Sequence, residues 1–133
     1  MQALQDDKLE EALENLLTAA KVDDRNAELQ VELAKLNRRI GDYMQMEAAA
    51  SRATDLDDIR VEALMVLGEA LVENGKKEEQ LEASIIKSGV ENLRKAMELS
   101  KNADIQKSQS ISDGRVVEIE QEYRIAAKCL YLK

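Results

Sequence analysis

The sequence repeats itself at an offset of 34 residues, and this register constrains the fold more than any other feature of the chain. The acidic pair Asp23-Asp24 falls on Asp57-Asp58, and Gly41 falls on Gly75. Other residues match at the same offset. Ala12, Leu16, Ala19 and Val22 fall on Met46, Ala50, Ala53 and Leu56. Glu28, Leu33 and Ala34 fall on Glu62, Leu67 and Gly68. A repeated structural unit, rather than a single amphipathic pattern, explains these matches.

Each unit contains two helical segments separated by a break. Apolar residues recur at helical spacing before Gly41, namely Leu29, Leu33, Leu36 and Ile40. Gly41-Asp42 interrupts the pattern, and a second apolar face follows, formed by Met46, Ala49, Ala50 and Ala53. The unit is therefore predicted to be a helical hairpin.

The register divides one domain, residues 1–133, into five segments. They are a partial hairpin (1–26), a hairpin (27–60), a hairpin with a lengthened second helix (61–103), a polar, flexible connection (104–114) and a terminal helix (115–133). Lengthening is inferred because Ala96 follows Ala53 by 43 residues rather than 34. Gly75 is predicted to end the first helix of the third segment, and Gly89 to kink the second. Both ends fall inside a repeat, which fits either unpaired capping helices or a piece of a longer array.

These hairpins resemble the tetratricopeptide repeat (TPR). The resemblance is carried by Leu64, Leu67, Gly68, Leu71 and Gly75 in one unit, and by Leu33, Ala34, Gly41, Asp42, Tyr43 and Ala53 in the unit before. It implies an all-α fold, a right-handed superhelix of antiparallel helix hairpins, in which small residues allow close helix packing. It also implies a protein-binding concave face lined by the first helix of each hairpin. An unrelated helical bundle is the alternative fold.

Carried onto this chain, the concave face predicts a set of partner-binding residues. They are Glu28, Glu32, Lys35 and Arg39 in the second segment, Glu62, Met65, Glu69, Val72 and Glu73 in the third, and Arg124 and Lys128 in the terminal helix. Acidic side chains around Met65 and Val72 favour a partner with basic residues beside an apolar anchor. A merely solvated helix face is the alternative interpretation.

The segment from 61 to 133 also resembles, more weakly, the TPR module of chaperone-dependent U-box ubiquitin ligases. That similarity implies a co-chaperone or ubiquitin-ligase adaptor that grips the acidic tail of a cytosolic chaperone. The positions corresponding to the cationic clamp are Glu32 and Glu62 here, which would repel such a tail. Chaperone binding is therefore the secondary hypothesis.

Composition argues against catalysis. The chain has no histidine and one cysteine, Cys129, so a neutral imidazole base and a Cys/His zinc site are excluded. The acidic pairs sit at predicted helix ends, where capping explains them better than chemistry does. Ser112 and Asp113 lack a base, and Cys129 is expected to be a buried small hydrophobe rather than a reactive thiol. We predict no catalytic residue, metal or cofactor.

Charge and hydropathy bound the partners. A net charge of -8 argues against nucleic acid, and short apolar runs argue against a membrane span or signal peptide. A lone cysteine favours the reducing cytoplasm. Terminal apolar stripes predict self-association, with Leu9, Leu13 and Leu17 at one end and Tyr123, Leu130 and Tyr131 at the other.

Overall fold

The protein is described by a computed structural model over residues 2–77 and 83–131, with side chains for 8–76 and 84–128. Seven helices lie in those ranges: α1 (Gln2–Val22), α2 (Ala27–Ile40), α3 (Tyr43–Leu56), α4 (Val61–Lys77), α5 (Ala83–Ser100), α6 (Ala103–Ser108) and α7 (Asp113–Tyr131). From α1 to α6 each helix packs on the next along the chain, α2 also touches α4, and α7 packs on α5. The predicted all-α stack of helical hairpins is confirmed. None of the helices in the described ranges is long and apolar enough to cross a bilayer.

The break between α2 and α3 follows the sequence prediction. Gly41 has φ +92°, and its N–H bonds the carbonyls of Asn37 and Arg38, which closes α2 with a left-handed residue. Asp42 then caps α3, because its Oδ1 accepts from the Gln45 N–H at 3.1 Å. Two residues thus reverse the chain and set α3 against α2.

The acidic pairs occupy helix ends but do not supply the N-caps. The cap of α2 is Asn26, whose Oδ1 accepts from the Leu29 N–H at 3.2 Å, while Asp23 accepts from the Asn26 amide at 3.0 Å. Asp57 accepts from the Ile59 N–H at 3.3 Å and pairs with Arg60. Both acids therefore order the turn before a helix rather than the first turn itself.

Gly68 and Gly89 bring α4 and α5 into close contact. A Cβ at Gly68 would lie 2.8 Å from the Gly89 carbonyl, and a Cβ at Gly89 would lie 2.8 Å from the Gly68 carbonyl. Gly89 lies inside helix α5, where the absence of a side chain allows the close approach of α4. The prediction that Gly75 ends the first helix is wrong, because α4 continues through it to Lys77.

Three apolar clusters include residues of α4, and two of them are large. One lies between α4, α5 and α7 and includes Leu64, Met65, Leu93 and Ile119. The other joins α1, α2, α3 and α4 through Ala20, Leu33, Met46, Val66 and Ala70. Because α4 contributes to both clusters, it is the central helix of the fold.

The connection predicted at 104–114 contains a helix and a cross-chain clamp. Its first half is α6, and its second half runs into α7, which begins at Asp113 rather than at 115. The Gln109 amide donates to the Ile59 carbonyl at 2.7 Å and accepts from the Val61 N–H at 2.9 Å. One side chain therefore satisfies an unpaired N–H at the start of α4 from 48 residues away.

The predicted self-association rests on side chains that the structure describes only in part. Leu13 packs against the second apolar cluster, whereas Leu17 is 43% exposed on α1. At the other end Tyr123 packs on the first cluster. Leu130, Tyr131 and Cys129 lie outside the described side chains. Self-association stays a prediction.

Candidate protein-binding groove

The first helices of the hairpins, α2, α4 and α7, border two cavities that together form the groove. The large cavity has a volume of about 370 Å³ and is lined by Arg38, Tyr43, Met46, Glu69, Val72, Glu73, Lys76, Leu93, Glu122, Ile125 and Ala126. The small cavity has a volume of about 300 Å³ and is lined by Glu28, Val31, Glu32, Lys35, Arg60, Glu62 and Gln109. The two cavities are therefore lined by the two predicted hairpins, 27–60 and 61–103, with Gln109 from the connection and α7 from the terminal helix.

The large cavity has an apolar floor. Val72 from α4, Leu93 from α5 and Ala126 from α7 are buried members of the first apolar cluster and face this space. Ile125, 65% exposed, forms an apolar wall above them. An aliphatic side chain of a partner would bury area against this floor, which is the main source of binding free energy in protein contacts.

Ion pairs border the floor of the large cavity. Arg38 Nη1 lies 2.8 Å from Glu69 Oε2, which ties α2 to α4 across the groove. Lys76 Nζ lies 3.8 Å from Glu73 Oε1 on the same helix. The polar rim is thus made of opposite charges in pairs.

Three carboxyl side chains line the large cavity, and Glu122 is the one that forms no ion pair among the described residues. Its Oε2 is buried and has no hydrogen-bond partner among the described residues. Burial, followed by the negative charge of Glu69, raises the pKa of Glu122 to about 7, although Arg115 and Arg38 oppose the shift. The groove therefore contains a carboxyl whose pKa is raised toward neutral pH.

Replacing Glu122 by glutamine is expected to stabilise the protein at pH 8 and to have little effect at pH 5. The folded chain keeps this proton up to about pH 7, whereas the reference carboxyl loses it near 4.5, so wild-type stability falls as the pH rises between those values. The gain at pH 8 should be about 1 kcal/mol, because solvent screens a partly exposed carboxyl. Urea denaturation at both pH values measures it, and an equal effect at the two would contradict it.

Glu62 is held in an ion-pair network beside the small cavity. Arg115 from α7 donates to both its carboxylate oxygens, at 2.8 and 3.0 Å, and Lys35 from α2 lies 3.7 Å away. Burial acts to raise the pKa of Glu62, but the bond and charge of Arg115, with Lys35 and Arg38, lower it overall. Its hydrogen bonds to Glu62 in turn raise the pKa of the Arg115 guanidinium. This network joins α2, α4 and α7.

Most of the predicted binding residues line the two cavities. Glu69, Val72 and Glu73 meet in the large cavity. The small cavity brings together Glu28, Glu32, Lys35 and Glu62.

Four predicted residues do not line the groove. Met65 is a correction, because it is 0% exposed inside the first apolar cluster and is no surface anchor. Arg39 is exposed outside both cavities. Arg124 is 70% exposed and pairs with Glu120, and Lys128 is also exposed away from the cavities. The terminal helix thus presents a different face from the predicted one.

The face of α7 is the main feature that sequence reasoning missed. Ile119 and Ala126, seven residues apart, are its buried positions and pack toward α4 and α5. Glu122 and Ile125 therefore line the groove, one register away from Arg124 and Lys128. The spacing of Ile119 and Ala126 is the signal that indicates this face.

The acidic groove predicted from sequence is largely neutralised. Glu62, Glu69 and Glu73 each have a cationic partner within 4 Å, supplied by Arg115, Arg38 and Lys76 respectively. Two of these cations come from other helices, and Lys76 comes from a later turn of α4. A negative surface potential from these three residues is therefore not a basis for partner choice.

Comparison with known proteins places the fold. No protein-family model and no curated protein matches the sequence. Among solved structures, the chain is similar to the type III secretion translocator chaperone SycD of Yersinia enterocolitica, with a TM-score of 0.65 and 15% sequence identity. The match covers 96% of this chain and 79% of SycD. This likeness establishes a TPR-like helical fold.

Proposed function

We propose that this chain is a non-enzymatic scaffold that holds a segment of a partner protein in the groove between α2, α4 and α7, in the cytoplasm and as part of a larger chain or assembly. The observation that carries the proposal is the large cavity, which combines a buried aliphatic floor with a charged rim. Such a combination suits an apolar anchor surrounded by polar contacts.

The fold supports this proposal by analogy. SycD, which has a similar fold, is named as a chaperone of a secretion translocator. A helical scaffold with a preformed groove can bind a peptide without paying for its own folding. A binding module is therefore the function class that both the groove and the fold favour.

The test uses a random library of displayed 12-residue peptides selected on the intact chain. Affinities of the selected peptides are then measured by fluorescence anisotropy for two variants of α7. Ile125→Asn removes the apolar wall of the large cavity, and we expect binding to weaken about tenfold, the loss for one buried aliphatic contact. Val117→Asn is the matched control, because Val117 is 52% exposed on the same helix and lines neither cavity.

Three results would contradict the proposal. Selection could yield no binding peptide, the two variants could weaken binding equally, or Val117→Asn alone could weaken it. A peptide with the acidic tail of a cytosolic chaperone is added as a competitor, which tests the adaptor hypothesis. Since the corresponding positions are Glu62 and Glu32, which supply no cation to bind a terminal carboxylate, we expect no competition.

A further inference from the structure

The large cavity holds an uneven set of charges. Glu69 is bound by Arg38 at 2.8 Å and Glu73 pairs with Lys76 at 3.8 Å, so each of these carboxylates already has a cation. Glu122 projects into the same space with a buried oxygen that no described donor reaches. A buried, unsatisfied carboxylate oxygen costs free energy that a new donor would recover.

The side chains around Glu122 indicate what kind of partner segment would carry such a donor. Ile125 and Ala126 follow Glu122 by three and four residues, so all three lie on one face of α7. Val72 and Leu93 complete an apolar surface beside the carboxyl. The site therefore offers one acceptor beside an aliphatic surface.

We infer that the large cavity recognises a protein segment carrying a lysine or arginine near a leucine, isoleucine or methionine, with the cation bound to the Glu122 carboxylate and the aliphatic side chain on Val72 and Leu93. This inference rests on the proposed function and names the class of segment that the groove takes. Charge complementarity carries it, because Glu122 is the cavity carboxyl left without a cation.

The cations already near Glu122 are bound to other carboxylates, so they do not take the place of a cation from the partner. Arg38 is bound to Glu69, and Arg115 donates to both carboxylate oxygens of Glu62. The other elements that border the cavity face it with Glu73 and Lys76 from α4, Tyr43 from α3 and the apolar Leu93 from α5. A second cation therefore meets a carboxyl whose side-chain neighbour is another carboxyl, Glu69, and which no described cation has bound.

Binding of a cation should release a proton. Because burial and Glu69 raise the pKa of Glu122 to about 7, the free groove is half protonated at neutral pH, while the bound groove requires the ionised form. The affinity of a basic segment should therefore fall about tenfold between pH 8 and pH 6. At pH 7 about half a proton should leave per peptide bound.

The test repeats the random peptide selection at pH 8 on wild type and on Glu122→Gln. We expect wild type to enrich peptides with lysine or arginine near an aliphatic residue, and Glu122→Gln to keep the aliphatic preference but lose the basic one. Glu120→Gln is the control, since Glu120 lies on the same helix, lines neither cavity and pairs with Lys101 and Arg124, outside the Glu62 network. Calorimetry at pH 7 in phosphate and in Tris counts the released proton.

Several outcomes separate this inference from the proposed function. Binding that weakens with Ile125→Asn but not with Glu122→Gln overturns the basic-segment inference and leaves the groove intact. Enrichment of acidic residues, or an affinity that does not change between pH 6 and pH 8, overturns it as well. Binding insensitive to both variants overturns both proposals. Circular dichroism of Glu122→Gln is measured first, to show that the variant is folded before its binding results are interpreted.

Discussion

Gly68→Val is expected to lower the free energy of unfolding by about 3 kcal/mol, the upper end of what overpacking a closely packed contact costs. A Cβ at this position would lie 2.7 Å from Leu93 Cγ and 2.8 Å from the Gly89 carbonyl oxygen. Leu93 can change rotamer, but Gly89 O belongs to the backbone of α5 and can move only if the helix moves. Valine also adds two methyl groups to a contact with no space for the first carbon.

The matched control is Gly114→Ala. Gly114 lies in the first turn of α7, and a Cβ there would meet nothing closer than Ser112 Oγ at 3.9 Å. Alanine should therefore stabilise the protein by up to about 1 kcal/mol through its helix propensity. Urea denaturation followed by circular dichroism compares the two. If Gly68→Val cost no more than Gly114→Ala, the close contact between α4 and α5 would be disproved.

Gly68 also shows how much of the fold the sequence contains. A glycine at a helical position 34 residues after Ala34 is explained only by close packing with a neighbouring helix, and the structure supplies that neighbour in α5. Gly41 was predictable for the same kind of reason, because a left-handed residue must end α2. Local backbone chemistry therefore determined the hairpins correctly. The predicted helix end at Gly75 was wrong, because a glycine within a helix and a glycine that ends one look alike in sequence.

The groove was less predictable because its character depends on pairs from distant segments. Glu62 and Arg115 are 53 residues apart, and Glu69 and Arg38 are 31 apart, so neither ion pair has a local signature. Gln109 reaches Val61 across 48 residues in the same way. The charges along one helix therefore predicted an acidic surface, whereas most of the charges in the folded groove are paired. Tertiary contacts, not composition, leave Glu122 as the exception.

The charge pairs and the core act together on the same helix. Arg115 fixes the start of α7 to α4, and Ile119 fixes the next turn to the first apolar cluster. Glu122 and Ile125 follow on the groove side of that anchored segment. The position of the groove wall therefore depends on how firmly α7 is packed, which makes Ile119 the residue whose loss should affect both stability and binding.

Ile119→Ala is expected to cost about 3 kcal/mol of stability, because truncating a fully buried aliphatic side chain loses its burial and leaves a cavity. Ile119 is 0% exposed and lies in the first apolar cluster with Leu93 and Ala126. The loss should fall first on α7, which packs on α5 and has no helix described on its other side. Amide hydrogen exchange in α7 should then quicken more than exchange in α2 and α3.

Val117→Ala provides the control on the same helix. Val117 is 52% exposed, so its truncation should change stability by less than about 0.5 kcal/mol and leave exchange in α7 unchanged. Peptides selected on wild type should bind Ile119→Ala more weakly, although Ile119 lines neither cavity, because opening of α7 displaces Glu122 and Ile125. Faster exchange spread evenly over α2, α3 and α7 would instead mean that the stack unfolds as one unit, and that the groove wall has no opening motion of its own.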